Sequence, residues 1–228
     1  VFLPDGNRIE YSSTLGSADF AVLNRILPST NGNVTEINGA VLSSFRDIND
    51  NPVTGGTIAF FSPTGLIIGS TATFDVGSLI LSANTVDNTV FQDFVENNGT
   101  LALGSNAPTA SVIINSGAQI NALNEGSYFL ATGAEVQMLG TSTVNGSTAF
   151  VAGEVINVNF SYGLFDISVP VGTDVTTPIV VDGDVGGPSS TGVGDNHIIY
   201  AIAAAAIDPI SMIFRGNLGF DPAASAGI

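Results

Sequence analysis

Displaced by twenty-one residues, part of this chain falls on itself. Leu123 lands on Val144, Asn124 on Asn145, Phe129 on Phe150, Leu130 on Val151 and Ala131 on Ala152. A period near 20 with apolar residues in register marks stacked units that bury their inner faces only against their neighbours. The stretch from Gly55 to Ala83 shows such a unit in detail. Its apolar runs Thr57–Phe61, Leu66–Ile68, Thr73–Val76 and Leu79–Leu81 are separated by Ser62-Pro63-Thr64-Gly65, Gly69-Ser70-Thr71-Ala72 and Gly77-Ser78. Taken alone, links this short fit hairpins as well as a winding of short strands that all bend the same way. Hairpins predict no twenty-one-residue register, so the winding is preferred. The expected fold class is all-β: a right-handed parallel β-helix, or solenoid, with extra-helical hairpin and loop excursions, forming one domain over 1–228. About 8–10 coils at ~4.8 Å each are expected. Alternation puts Ile58, Phe60, Leu66, Ile68, Phe74, Val76, Leu79 and Leu81 on the inner face, and the repeat adds Phe129 and Phe150. The aligned Asn124 and Asn145 are expected to stack their amides at one bend.

Composition agrees with a β-rich chain. Of 228 residues, 44% are hydrophobic and only 11% charged, which is not the profile of a disordered chain. Lysine is absent, and four arginines face twenty acidic residues, for a formal charge of −16. Such a chain repels nucleic acid and anionic lipid, so phosphate-backbone readers are excluded. Cysteine is also absent, so a chain passing through an oxidising compartment cannot misbridge. No apolar run reaches the ~18 residues needed to span a bilayer as a helix.

Residues 56–79 carry a resemblance. Gly56-Thr57-Ile58-Ala59-Phe60-Phe61-Ser62-Pro63-Thr64-Gly65-Leu66-Ile67-Ile68-Gly69 and then Ala72-Thr73-Phe74-Asp75-Val76-Gly77-Ser78-Leu79 resemble the amino-terminal secretion domain of filamentous haemagglutinin-type two-partner-secretion exoproteins. That family has an Asn-Pro-Asn-Gly element where this chain has Ser62, Pro63, Thr64 and Gly65. Pro63 and Gly65, which set the backbone, are kept. Leu23-Asn24-Arg25-Ile26 is similar to the end of the family's opening coil, and Asn33–Leu42 to a strand that follows it. The resemblance implies recognition by an outer-membrane transporter through its periplasmic domains, with Asn24, Arg25, Ser62, Pro63, Thr64 and Gly65 as the secretion motif. It further implies a secreted or surface location in a Gram-negative bacterium and a signal peptide upstream of Val1. Separately, Ile228 comes without a polar capping sequence, so further coils are expected to follow it. A passenger role in adhesion, with a host or matrix receptor, belongs to the same expectation. For Arg25 the alternative role is a salt bridge or carbonyl cap.

The remaining segments read as excursions. Ser44–Val53 is a polar loop whose Asp47, Asn49, Asp50 and Asn51 lack the turn glycine and terminal glutamate of a helix-loop-helix Ca²⁺ site. Phe91 and Phe94 dock the insertion 84–108 as either a hairpin or a turn of helix. Glu154–Phe160 and Leu164–Val169 read as two strands ending the regular part. The Gly-, Pro- and Asp-rich stretch 174–196 reads as an exposed loop, and a metal role for its Asp182 and Asp184 is weighed and set aside.

Catalytic constellations are missing. The single His197 has no nearby Ser–Asp arrangement of the kind that makes a triad, and there is no cysteine nucleophile. No catalytic residue, metal or cofactor is expected, and the chain is read as a non-enzyme. Two other classes stay open: a structural subunit that associates end to end in an extracellular filament, and a carbohydrate-active β-helix enzyme with paired carboxylates.

Overall fold

The computed structural model describes residues 2–14, 16–17, 20–27, 32–104, 109–192 and 195–221. Among the described residues it is all-β apart from one helix, and its long sheets are parallel. The first level comprises β1 (Phe2–Leu3), β2 (Arg8–Ser13) and β3 (Ala21–Arg25). The second comprises β4 (Thr35–Ile37), β5 (Ala40–Arg46), the short return strand β6 (Pro52–Thr54) and β7 (Thr57–Phe61). The third comprises β8 (Leu66–Ile68), β9 (Thr73–Asp75) and β10 (Ser78–Ser82). After α1 (Asn88–Asn97) and β11 (Leu101–Leu103) come β12 (Ser111–Ile114) with β13 (Gln119–Gly133), then β14 (Glu135–Met138) with β15 (Thr141–Ala152). A hairpin of β16 (Val155–Ser161) and β17 (Leu164–Val171) precedes β18 (Ile179–Val181), β19 (Asp184–Pro188) and β20 (Ile199–Ala203). The last described strands are β21 (Met212–Phe214) and β22 (Leu218–Asp221).

These strands form three parallel stacks. The first runs β1-β4-β8-β12-β14-β18-β21 and holds seven strands. The second joins β2, β5, β9, the first halves of β13 and β15, β19 and β22. The third joins β3, β7, β10, the second halves of β13 and β15, and β20. The chain meets the stacks in the same order at each level. Seven levels lie among the described residues, fewer than the 8–10 expected from length. The shortfall has a plain cause: residues 84–104 and 153–172 leave the stacks altogether.

One apolar core lies between the stacks. Ile58, Phe60, Leu66, Ile68, Phe74, Val76, Leu79, Leu81, Phe129 and Phe150 all belong to it, each no more than 4% exposed. Phe129 and Phe150 meet edge to face, with ring centroids 5.9 Å apart. A second core lies on the outer side of the third stack. There Ala59, Phe61, Ile80, Leu130 and Val151 pack under α1 and the antiparallel sheet β11-β16-β17. Burial on both sides is why TIAFF, SLILS and AFVA read as continuous apolar runs instead of alternating ones. Asp87 caps α1 by accepting the Thr89 N–H at 2.9 Å, and Asn98 ends it in a left-handed conformation. Phe91 and Phe94 are the helix's buried face, so the insertion is both helix and strand.

Three expectations need correction. The repeat is not a constant twenty-one: Ala122 pairs with Val144, but Phe129 pairs with Thr148 and Ala131 with Phe150. Residues 123–126 bulge where the next level spends only Asn145, so the two asparagines do not stack. Asn124 donates to Thr54 O (2.7 Å) and Asn145 to Leu123 O (3.1 Å). The hairpin 155–171 does not end the regular part, because two more levels follow it. The stretch 174–196 is not a loop throughout: Ile179, Val181 and Val185 are buried in β18 and β19. Alternating β-branched residues outweigh its Gly and Pro content. The end at Ile228 lies outside the described residues.

Buried Asn84 sits where the chain leaves the third stack. Its amide donates to Gly153 O (3.2 Å) and Glu154 O (3.3 Å), where the second excursion leaves. Asn84→Ala is expected to cost about 1–3 kcal/mol by leaving buried carbonyls unpaired, measurable by urea unfolding. Phe60→Asp is expected to cost several kcal/mol, because its carboxylate has no partner in the inner core. An unchanged melting temperature for Phe60→Asp would contradict the inward assignment.

Candidate functional site

Gly65 N–H donates to Ser62 O at 2.9 Å, closing a turn with Pro63 and Thr64 at its centre. Gly65 has φ +102°, which side-chain-bearing residues rarely adopt. Buried Ser62 lies 3.0 Å, hydroxyl to hydroxyl, from Thr35 and 3.3 Å from Thr64, whose hydroxyl donates to Asn33 O at 3.0 Å. This hydroxyl cluster ties the second and third levels together. Ser62 and Gly65 are interior. Pro63 and Thr64 are half-buried.

Asn24 faces inward. It accepts from Tyr11 Oη at 2.7 Å and donates to Ala59 O at 3.1 Å. Burial pushes the Tyr11 phenol up despite that bond. Arg25 faces outward, is exposed, and donates to Asn88 Oδ1 at 3.0 Å at the start of α1. Bonds from the Thr89 hydroxyl and N–H hold Asp87 below the usual carboxylate range, with the Arg25 charge adding to them. Arg25 pairs with Phe61, and Ile26 N–H donates to Phe61 O at 2.8 Å, so β3 runs directly beside the approach to the 62–65 corner. The six motif residues are therefore contiguous, but only Arg25, Pro63 and Thr64 present much surface.

Beside Arg25 opens a trough of about 1160 Å³. Its floor is built from small residues where the chain enters the third stack: Gly56-Thr57, Gly77-Ser78 and Gly126-Ser127. Thr57 and Ser78 are direct partners on adjacent levels. One wall is α1, with Asn88, Gln92 and Glu96, and the bulge contributes Asn124 and Glu125. Sequence reasoning did not find this feature. The recurring Gly-Ser/Thr pairs were its available signal.

His197 is engaged at both ring nitrogens, with Pro188 O at Nδ1 (2.8 Å) and Asp195 Oδ1 at Nε2 (2.7 Å). Burial disfavours the Asp195 carboxylate, but bonds from Thr191 and contact with His197 outweigh it and hold the group low. The Ser190 hydroxyl donates to the Asp195 backbone carbonyl. Through His197, Asp195 is tied to Pro188. In the acidic loops, Asp47 accepts from the Asn49 and Asn51 N–H groups, both at 2.8 Å. Asp182 pairs with Arg215 at 3.1 Å, and Asp184 accepts from Asn217 at 2.7 Å. Among the described residues, no group of three His, Cys, Asp or Glu converges in a way that could hold a metal ion.

The sequence matches no family model and no curated protein.

Gly65→Val forces a β-branched residue to positive φ, with its Cβ 3.1 Å from Ser111 O. It is expected to cost about 1–3 kcal/mol. That lowers the melting temperature by about 2–4 °C per kcal/mol in a chain of this size. A variant melting with the parent would show that this corner carries no such strain.

Proposed function

We propose that the chain is a right-handed parallel β-helix acting as the secretion domain of a two-partner-secretion exoprotein, exported to the surface of a Gram-negative bacterium. One observation carries the reading. The residues that hold the resemblance make one full circuit of the three stacks, from Thr57 through β8 and β9 back to Ser78, which pairs with Thr57. A sequence pattern of turns and short strands thus coincides with one complete structural repeat. The domain's biochemical act is to bind the periplasmic domains of its outer-membrane transporter. It then serves as a folded template for chain that follows.

The first level suits that contact. Among the described residues, β1, β2 and β3 each pair on one side only, leaving backbone groups free for strand addition. Arg25 and exposed Leu27 lie at the end of the same level. Passenger adhesion, through a host or matrix receptor, belongs to the whole exoprotein and not to this stretch. End-to-end assembly in a filament is the second reading: among the described residues β21 and β22 each pair on one side, and Met212, Phe214 and Leu218 are half-exposed.

The test is a titration of the chain, native and denatured, against the purified periplasmic domains of a two-partner transporter. Saturable binding that Arg25→Glu weakens is expected. Ordered fibres without transporter binding would move the assignment to the structural subunit, and polysaccharide turnover without such binding would move it to an enzyme.

A further inference from the structure

His197 is the only histidine of the chain, and the secretion reading gives it no part. Its side chain is 1% exposed, and both ring nitrogens meet oxygens that can only accept. Pro188 O stands 2.8 Å from Nδ1, and Asp195 Oδ1 stands 2.7 Å from Nε2. A neutral imidazole has one N–H, so one of these contacts would set lone pair against lone pair. The imidazolium donates to both. The carboxylate is itself fixed, because its other oxygen accepts the Thr191 N–H at 2.7 Å and the Thr191 hydroxyl at 3.0 Å. Burial disfavours that charge, but the Thr191 bonds and the His197 contact hold Asp195 below the usual carboxylate range.

The pair stands where three parts of the molecule meet. Pro188 ends β19 in the second stack, and His197 leads into β20 in the third. From β22, on the level below, Phe220 brings its ring to 5.4 Å from the imidazole, centroid to centroid. Pro188 pairs with Asp221 of that strand, and Ser189 N–H donates to Asp221 O at 3.2 Å. On the other side, Asn196 donates to Tyr162 O at 2.8 Å, and Ile198 N–H to the Ser147 hydroxyl at 3.1 Å. The Ser147 hydroxyl in turn donates to Gly163 O, so the turn of the β16–β17 hairpin is held to the same short segment. Of the ionisable groups on these elements, Asp195 touches the ring. Asp221 lies on β22, Asp184 at the far end of β19, Tyr200 on β20 and exposed Tyr162 at the hairpin turn, while β15 carries none.

We propose that His197 is a proton-operated latch on the last two levels and the hairpin turn, closed while the ring carries charge and released when it loses a proton. The doubly bonded imidazolium exists only in the folded chain. Its stabilisation is therefore complete at low pH and is lost as pH rises through deprotonation of the ring. A carboxylate bonded in the folded state has the opposite sign, since its contribution is lost as pH falls. The latch stands whether or not the chain is exported as described above.

The experiment follows the intact chain by NMR from pH ~5 to pH ~9, across the ordinary histidine range. Ring ¹⁵N shifts report the protons of His197 directly, with no other histidine to overlap them. As one proton leaves the ring, protection factors at the bonded amides of Ser189, Thr191, Asp195 and Ile198 should fall about tenfold or more in the same step. Those of β7 and β10 should hold. His197→Gln should show low protection at the four amides at every pH, with no step. Asp195→Asn should move the step to lower pH, which a loss of packing alone does not do. A ring that loses its proton with no change at the four amides would overturn the proposal. So would a step that His197→Gln retains, or a fall in protection spread evenly over all levels. If His197→Gln does not fold, a step in the parent that Asp195→Asn leaves at the same pH would overturn it equally.

Discussion

A three-residue strand such as β8 can turn only Leu66 and Ile68 toward the core, so no single level of this molecule buries enough to stand alone. Each level is stable because strands above and below cover it and complete its backbone hydrogen bonds. Everything else follows from that dependence. The levels must approach to the spacing of parallel strands, the corners must allow it, and an edge without a neighbour becomes a reactive surface.

The corners show how the approach is achieved. A Cβ on Gly183 would collide with Gly140 O, and one on Gly216 with Gly183 O. At this column successive backbones are in contact, and only glycine lets them be so. At the Ser62–Gly65 corner the solution is different: a positive φ and the hydroxyls of buried Thr35 and Ser62 bonded together, with half-buried Thr64 beside them. The two excursions answer a further problem. The outer side of the third stack is as apolar as the inner, and without cover it would be a large exposed patch. Phe91 closes on Phe61, with ring centroids 6.2 Å apart, while Tyr128 gathers Phe94, Phe160 and Phe165 around it. Burial in that cluster pushes the Tyr128 phenol up to about 12.

The same architecture separates polar groups spent between levels from those left at the surface. Residues that hold levels together, such as Asn24, Ser62 and Asn84, spend their polar groups on neighbouring strands. Polar surface not spent in this way lies at Arg25, Pro63 and Thr64 and along the outer turns of α1. His197, the residue type first suspected of catalysis in any chain, is consumed by Pro188 and Asp195.

Within 55–83 the sequence by itself determined the strands, the bends and the inner face. Short β-branched runs between Gly- and Pro-containing turns admit few other structures, and Ile58, Phe60, Leu79 and Leu81 show their common side by spacing alone. Gly65 was legible for the same reason, since a turn of that composition needs a residue free to take positive φ. The register between levels was not legible. Parallel partners are set by how many residues each corner consumes, and the bulge at 123–126 against the single Asn145 has no local signature. Nor did the sequence separate two cores within one run: Ala59 and Phe61 look like Ile58 and Phe60 until α1 and the β16–β17 hairpin are folded over them. The trough belongs to that second kind of knowledge. Its floor, helix wall and bulge come from segments as far apart as Phe20 and Ser127, and only long-range packing brings them to one place.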